Sequence, residues 1–400
     1  MPIFTGTERV LLKNIKSMSQ ELIILGAGAS VDFVSKHCTK DIYYKVTTQE
    51  SVKEPFPMTK EFLKKCIDKE VLKKDYYPNL WEFIQSHFAV SFQELKDGRP
   101  LDVEEVYIAL ENKTEELDKK SSEWIKVYQT KEFLIDCIEN LLVKLTFKHR
   151  ISIYHKRLAL HCVENGIPLI SFNWDTLMDD ALFSTSKWNF ETGYGIDFYR
   201  MYCDGKQIAD KPKSSNCILL KPHGSINWFR YQDFYSDKWD GFTGATVSHD
   251  ERQQTGLFWF SLKRRNNSEW MKLRLDLGRG YAPLLKMPVS TDIIPPGETR
   301  EVKRSAYNKI YHEMANLVRK AEVITIIGFG MKDTDAYSKY LFQQARLQNS
   351  KKIIVNVINP CKGNTVQEDK MKEVCFSVFS PCEVRFPYKT FKEYAEALPN

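Results

Sequence analysis

Short, nearly continuous apolar runs, each ending at a glycine, a proline or a polar pair, are the feature of this sequence that most restricts its fold. Such runs are typical of strands that are buried on both faces, as in a parallel sheet covered by helices. They are far too short to cross a bilayer, so we expect no membrane association. The pattern predicts an α/β protein with a doubly wound parallel sheet. The runs occupy residues 22–25, 169–172, 218–220, 323–327 and 353–358.

Between these runs, apolar residues recur every three or four positions, which predicts helices on the faces of the sheet. The pattern is clear at 133–145 and at 310–321, directly before the fourth run. Asp102, with Glu105 three positions later, resembles a capping box that begins a helix. The stretch 60–162 is almost wholly helical in pattern and rich in charge. We therefore expect a Rossmann-like core with a large helical insertion after its first unit.

The charge balance restricts the partners of the chain. Lys and Arg total 58 and Asp and Glu total 52, so the formal net charge of +6 is small for 400 residues. The short basic run Lys263-Arg264-Arg265 has no helix-turn-helix, zinc finger or stacking aromatics beside it, so direct nucleic-acid binding is not expected. Charges interrupt every apolar stretch of residues 1–20, which predicts no secretory signal and a cytoplasmic location.

Nine cysteines are scattered along the chain, and none of them forms a CxxC pair. This distribution argues against both a disulfide framework and a zinc ribbon, and it fits free thiols in a reducing compartment. We therefore predict that the protein binds no metal, and in particular no zinc.

A glycine-rich turn follows the first apolar run directly. Gly26, Ala27, Gly28 and Ser30 belong to the sequence Gly-Ala-Gly-Ala-Ser, after which a helix is expected. Backbone N–H groups of such a turn can approach a pyrophosphate closely, and the helix N-terminus favours its negative charge. The third glycine of the full dinucleotide fingerprint is missing, so a tight turn without a ligand is the alternative.

Polar residues follow the second run as the sequence Asn-Trp-Asp-Thr. Ligands of open α/β sheets bind beyond the carboxyl ends of the strands, so these side chains are candidates for a site. Asn173 can hydrogen-bond a sugar hydroxyl or a water molecule, and Asp175 can accept from a carboxamide or a hydroxyl. The alternative is structural, because Asp175 or Thr176 can cap the helix that follows.

The third run leads into Lys-Pro-His-Gly-Ser, which places His223 between a strand end and a glycine. Pro222 fixes the backbone before the histidine, and Gly224 permits a positive φ or a close approach after it. A histidine in this position can act as a general base near neutral pH, or it can orient a ribose hydroxyl.

The fourth and fifth runs also end in turns. Glycines after the fourth run would let the backbone pass close to an adenosine ribose, and the end of the fifth run would reach the same nucleotide. Ordinary βα turns are the alternative for both. The residues concerned are Gly328, Phe329, Gly330 and Asn359, with Asp333 and Asp335 shortly after the glycines.

Taken in chain order, these motifs resemble those of the sirtuin family. The resemblance implies a sirtuin-like variant of the Rossmann-like fold that binds NAD. It covers about residues 20–35, 165–230 and 305–360. The motifs themselves lie at 26–30, 172–175, 221–225, 326–335 and 358–360.

By this resemblance, each motif acquires a role toward NAD. The first turn would hold the pyrophosphate, the second and third motifs would surround the nicotinamide ribose, and the last two would hold the adenosine end. The implied catalytic residues are Asn173, His223 and Asp175. The implied NAD-binding residues are Gly26, Ala27, Gly28, Ser30, Asp175, Gly328, Phe329, Gly330 and Asn359.

The departures from sirtuin deacetylases are equally informative. The two CxxC pairs of the deacetylase zinc module have no counterpart here, and the deacetylase loop Gly-x-Pro-x-Phe-Arg is represented at best by 55–59, without its arginine. The pattern is closer to the sirtuin-like NADases of prokaryotic antiphage defence. It implies an NAD+ hydrolase that releases nicotinamide and ADP-ribose and so depletes NAD during abortive infection. The alternatives are an NAD-dependent protein deacylase and a non-catalytic regulatory subunit that binds NAD or ADP-ribose.

The resemblance also implies one discontinuous NAD-binding domain across residues 20–360, controlled by assembly. Homo-oligomerisation is the expected control, or a partner such as a HerA-type ATPase or another component of a defence system. The implied segments are a core at 20–59, 163–230 and 301–360, a helical insertion at 60–162, a loop-rich insertion at 231–300 and a C-terminal extension at 361–400.

Overall fold

The structure, a computed structural model, shows a mixed α/β architecture. The basic run 263–265, Cys38, Pro55 and most of the stretch 231–300 lie outside the residues that it describes. The described residues are 20–31, 56–118, 121–146, 151–196, 200–203, 206–207, 214–231, 257–260, 289–294 and 305–399.

The described residues contain eleven strands, and six of them form one parallel sheet in the order β11-β10-β9-β1-β2-β5. Counted among themselves, these six strands have the order 3-2-1-4-5-6 of the Rossmann fold. All five apolar runs are strands of this sheet, so the prediction of a doubly wound parallel α/β core is confirmed. The strands are β1 (Glu21–Leu25), β2 (Leu169–Ser171), β3 (Arg200–Cys203), β4 (Lys206–Gln207), β5 (Leu219–Leu220), β6 (Gly224–Tyr231), β7 (Leu257–Phe260), β8 (Val289–Ile293), β9 (Val323–Ile327), β10 (Ile353–Ile358) and β11 (Cys382–Arg385).

Strand β1 lies in the middle of this sheet. Leu22 pairs with Ile324 of β9 on one side, and Ile24 pairs with Ile170 of β2 on the other. Four of the five residues of β1 are buried, which explains its continuous apolar run, because a strand covered by helices on both faces has no face in water. The winding of the sheet reverses between β1 and β9, so their carboxyl ends border the crevice where such sheets bind ligands.

Helices connect the parallel strands. Local caps explain several of their boundaries: the Asn364 side chain accepts from Gln367 N at the start of α12, and Thr390 accepts from Glu393 N at the start of α13. The described helices are α1 (Ala27–Val31), α2 (Phe62–Asp68), α3 (Pro78–Phe88), α4 (Phe92–Lys96), α5 (Val103–Glu116), α6 (Ser122–Thr146), α7 (Ile153–Asn165), α8 (Leu177–Phe183), α9 (Phe190–Gly193), α10 (Ser305–Lys320), α11 (Ala336–Leu347), α12 (Thr365–Phe379) and α13 (Phe391–Ala397), with 3₁₀ turns at Thr59–Glu61 and Asp333–Asp335.

Helices α2 to α6 lie between β1 and β2 and pack around an apolar core of their own. Ile84, Leu110 and Leu134 are fully buried in it. Trp174 and Ile293 belong to the same cluster although they lie near the ends of β2 and β8, so the helical segment rests directly against the strand ends. The helical character predicted from the sequence is confirmed for the described part of this segment.

The described residues also form a second, smaller sheet, and its strand β6 begins one residue after His223. Its strand order is β4-β3-β7-β6-β8, and β6 pairs antiparallel with both β7 and β8. The pairing of β6 with β8 shifts register between Ser225 and Phe229. Strands β7 and β8 are described parts of the stretch 231–300, which the sequence predicts to be a loop-rich insertion.

The structure corrects one local prediction and adds one strand that the sequence pattern does not indicate. Asp102 does cap α5, with its Oδ1 accepting from Glu104 N at 3.0 Å, but no capping box with Glu105 forms in the described chain. Strand β11 was not predicted, because it lies at the sheet edge with Cys382 buried and Glu383 exposed, and so it has no apolar run. Among the described helices, none has both the length and the apolar character needed to cross a membrane.

Candidate functional site

A pocket opens at the carboxyl ends of β1, β2, β5 and β9, beside the reversal of the sheet. The turns after these strands line it, together with Met58 and with Phe62 and Leu142 of the helical segment. Doubly wound sheets bind their ligands at this place. The pocket brings together nine of the predicted site residues, which are Gly26, Ala27, Ser30, Asn173, Asp175, His223, Gly328, Phe329 and Gly330.

Gly28 and Asn359 are not among the residues that line this pocket. The Gly28 N–H donates to Gly328 O at 3.0 Å. Asn359 stabilises its own turn, since its Oδ1 accepts from Cys361 N at 3.0 Å. Both residues act here through backbone packing and turn formation.

The glycine turns after β1 and β9 interlock. Gly26 N donates to Ile327 O at 3.0 Å. Gly328 has a φ of +60°, and a Cβ atom added to it would lie 2.4 Å from Ala29 N, so neither its conformation nor its surroundings admit a side chain. These glycines therefore allow the two turns to pack. Ala27 lines the pocket, and its N–H takes no part in these contacts.

Asn173 is buried and fixed by the first glycine turn. Its Nδ2 donates to Gly26 O and to Ser30 Oγ, both at 3.0 Å. These bonds use both amide protons and hold the side chain in one orientation. The remaining polar atom, Oδ1, is an acceptor in a side chain that lines the pocket.

Asp175 combines the two roles that its sequence left open. Its Oδ2 accepts from Ser30 Oγ at 2.6 Å, which joins it to the glycine turn. Its Oδ1 accepts from Leu177 N at 3.0 Å, at the first residue of α8, so Asp175 also stabilises the start of that helix. Thr176 makes no side-chain cap bond, and its hydroxyl donates to Asp180 Oδ2 at 3.2 Å. Each carboxylate oxygen of Asp175 keeps a second lone pair for a ligand.

His223 is held by a turn that requires the glycine after it. Gly224 has a φ of +71°, and a Cβ atom on it would lie 2.0 Å from Asp292 O. The backbone oxygen of His223 accepts from Ile294 N at 2.9 Å. Burial lowers the pKa of His223 to about 3, so its imidazole is neutral at pH 7.

Two phenylalanines from different strand ends form an aromatic wall beside this histidine. Phe172 and Phe329 stack with ring centroids 4.1 Å apart and planes 6° apart. The His223 ring meets Phe172 edge-on at 5.0 Å. All three rings line the pocket and are buried, so one part of it is flat and apolar.

An ionisable cluster completes the pocket, and sequence reasoning missed its role. Asp335 Oδ1 lies 3.9 Å from His223 Nε2. Burial raises the pKa of Asp335 to about 7, the Glu104 carboxylate adds to this rise, and Lys332 opposes it. The only sequence signal was the position of Asp335 shortly after the second glycine turn.

Lys332 joins this turn to the helical segment. Its Nζ donates to Thr59 Oγ1 at 2.8 Å, to Asp102 Oδ2 at 3.0 Å and to Glu104 Oε2 at 2.9 Å. Burial tends to lower the pKa of Lys332, but the Glu104 and Asp102 carboxylates outweigh it and raise this pKa overall. The pKa of Glu104 is raised by burial, and the positive charge of Lys332 offsets part of this rise. The helical segment thus supplies the Glu104 carboxylate to the pocket.

Lys221 is a structural residue that is not among those lining the pocket. It is fully buried, and its Nζ donates to Asp175 O and Ser225 Oγ, each at 2.6 Å, and to Asp179 Oδ2 at 3.1 Å. The Tyr194 hydroxyl donates to the other oxygen of Asp179. Lys221 therefore ties the Asn-Trp-Asp motif to the turn that carries His223.

The fold and this pocket define an α/β protein with a buried polar site at the switch point of a Rossmann-type sheet. Within the described residues, no group of three or more His, Cys, Asp or Glu side chains is arranged to hold a metal ion. No protein-family model matches the sequence, and a comparison with curated proteins also finds no match.

Proposed function

We propose that this chain is an NAD+ hydrolase of sirtuin-like fold that cleaves the bond between nicotinamide and ribose. One observation carries the proposal: Asn173 and Asp175 follow β2, His223 follows β5, and all three line one buried pocket with the glycine turn. The chain order of the motifs is a second support, because it matches the order that sirtuins use. Depletion of NAD in antiphage defence is the biological role that we infer from this resemblance.

The chemistry of the pocket residues fits the parts of such a dinucleotide. Ala27 lines the pocket at the start of α1, so its N–H can donate to a phosphate oxygen. A neutral His223 can exchange hydrogen bonds with a ribose hydroxyl. The stacked rings of Phe172 and Phe329 offer an apolar surface to a planar ring. Each donor or surface is on a different strand end, as an extended ligand requires.

In the proposed reaction, water is the nucleophile. The oxygen of water bonds to the ribose carbon, the bond from this carbon to the nicotinamide nitrogen breaks with its electron pair going to nitrogen, and one proton is released. Asn173 is suited to orient the water, since its amide protons are already bonded to Gly26 and Ser30 and its Oδ1 can accept from the water. His223 would orient the ribose. We infer water rather than an acyl-lysine because the sequence lacks both CxxC pairs of the deacetylase zinc module and the arginine of the deacetylase loop.

The proposal is tested by incubating the purified chain with NAD and separating the products by chromatography. We expect equal amounts of nicotinamide and ADP-ribose. Asn173→Ala and His223→Ala should each lower the rate at least about 100-fold, the usual size of a lost positioning or acid–base group. His87→Ala is the matched control: this histidine is exposed on α3, away from the pocket, and its loss should leave the rate unchanged.

Three outcomes would contradict the proposal. NAD that stays intact with the purified chain, and in cells that express it, would exclude the hydrolase. Nicotinamide that appears only with an acylated lysine peptide would indicate the deacylase. Unchanged rates in both pocket variants would show that the reaction occurs elsewhere.

A further inference from the structure

We propose that Asp335 is the catalytic base of this pocket, and that Glu104 of the helical segment is a positioning residue that acts through it. The inference rests on the proposed NAD+ hydrolysis and goes beyond it. It adds a proton acceptor to the reaction, and it gives the helical segment a part in the chemistry.

The geometry brings Asp335 to the same cavity as the residues of the proposed reaction. Asp335 belongs to a 3₁₀ turn directly before α11, and Asp335 N donates to Lys332 O at 3.0 Å. Its side chain lines the pocket together with those of Asn173 and His223, and its Oδ1 lies 3.9 Å from His223 Nε2. This separation exceeds a direct hydrogen bond, as is common for catalytic groups before a substrate draws them together.

The electrostatic environment of the pocket gives His223 and Asp335 different roles. His223 is a poor proton acceptor at neutral pH, because burial lowers its pKa to about 3. Burial and Glu104 raise the pKa of Asp335 to about 7, where a general base works best near neutral pH. Lys332 and Lys339 oppose this rise. When the environment of a site pushes the pKa values of two neighbouring groups far apart, the two groups have different acid–base roles. Here Asp335 is the group suited to accept a proton near neutral pH, and His223 is not.

The proton balance of the step is then complete. The Asp335 carboxylate takes one proton from the water whose oxygen bonds to the ribose carbon. The electron pair of the broken carbon–nitrogen bond stays on nicotinamide, which leaves neutral. Asp335 afterwards releases the proton to solvent, so the enzyme returns to its starting state and no further reactant is needed.

Glu104 connects this base to the helical segment. It lines the pocket from α5, and its Oε2 accepts from Lys332 Nζ at 2.9 Å. Thr59 and Asp102 bind the same ammonium group. The positions of the Glu104 and Lys332 charges near Asp335 therefore depend on the packing of the helical segment against the turn after β9.

The test measures kcat/KM for NAD hydrolysis against pH. In the parent chain, the rate should rise through a pKa near 7 as Asp335 loses its proton. Asp335→Asn should lower kcat/KM at least about 100-fold and remove this rise. Asp333→Asn is the matched control, because Asp333 lies two residues before Asp335 and its side chain is fully exposed. The rate of this variant should stay within about twofold of the parent rate.

Two further variants test the positioning role of Glu104. Glu104→Gln removes a negative charge near Asp335, so the acid limb of the profile should move to lower pH. Lys332→Met removes a positive charge, so the same limb should move to higher pH. Loss of packing alone would not shift the limb in opposite directions.

Each result supports or overturns the assignment. A parent chain that leaves NAD intact overturns the proposed function, and the base assignment with it. An active parent whose Asp335→Asn variant keeps more than about a tenth of the rate, or keeps the limb near pH 7, overturns the base assignment alone. If the acid limb of the pH profile does not move in Glu104→Gln and Lys332→Met, the positioning role of Glu104 is overturned.

Discussion

Replacement of the buried Lys221 by methionine should destabilise the protein by about 4 kcal/mol. All three protons of its ammonium group are used, by the backbone oxygen of Asp175, by Ser225 Oγ and by Asp179 Oδ2. Methionine has a similar length and fills most of the same volume, so the loss comes chiefly from these bonds rather than from a cavity.

The magnitude follows from the partner that the substitution leaves behind. Asp179 is buried, and without Lys221 its carboxylate keeps only the Tyr194 hydroxyl among the contacts described above. Removing one partner of a buried ion pair costs about 3–5 kcal/mol, because the other charge stays uncompensated. The Tyr194 hydroxyl still donates to Asp179 in the variant, so we expect the middle of this range, about 4 kcal/mol, rather than its upper end.

Urea unfolding followed by tryptophan fluorescence measures the loss. With a slope of about 3 kcal/mol per molar urea, a 4 kcal/mol loss lowers the midpoint by about 1.3 M. Lys187→Met is the matched control: Lys187 pairs with Glu164 at 3.4 Å with both side chains exposed, and such pairs contribute less than about 1 kcal/mol. Equal midpoints for the two variants would refute the reasoning.

Two further predictions concern stability. Gly328→Ala should cost at least about 3 kcal/mol because of its positive φ and the nearby Ala29 backbone, whereas Gly330→Ala, whose Cβ meets nothing within 4 Å, should cost under about 0.5 kcal/mol; similar melting temperatures would contradict this. Burial lowers the pKa of His155 from 6.5 to about 3, so the unfolded chain binds the extra proton and stability falls as pH drops below 6.5. Between pH 7 and pH 5 the parent should therefore lose about 2 kcal/mol more than His155→Leu, as measured by urea midpoints, and parallel pH profiles would exclude this contribution.

The sheet could be predicted from the sequence because its central strands are buried on both faces. Residues 22–25 need no context: four consecutive apolar residues before a glycine already indicate an inner strand. Cys382–Arg385 carries no comparable signal, since an edge strand keeps one side in water and tolerates charge. The strand order then follows from the doubly wound class, which brings the turns after β1 and β9 together.

The residues that line the pocket could be predicted from the sequence only where a motif directly follows a strand. Asn173 and His223 follow apolar runs, and their positions beyond the carboxyl ends place them in one crevice. Asp335 and Glu104 come from segments more than 200 residues apart, and their mutual effect exists only once α5 packs against the turn after β9. No local pattern records such an effect, because a pKa depends on burial and on charges from remote parts of the chain.

The pairing of β1 with β9 also affects when the protein becomes complete during synthesis. Leu22 pairs with Ile324, so the central ladder of the sheet joins residues about 300 positions apart. At about 5–20 residues per second, the ribosome needs about 15–60 s to deliver β9 after β1 has been made. During this time the first glycine turn lacks the turn that interlocks with it, and no truncated chain ending before β9 contains the whole pocket. The topology of the sheet thus delays assembly of the pocket until most of the chain has been translated.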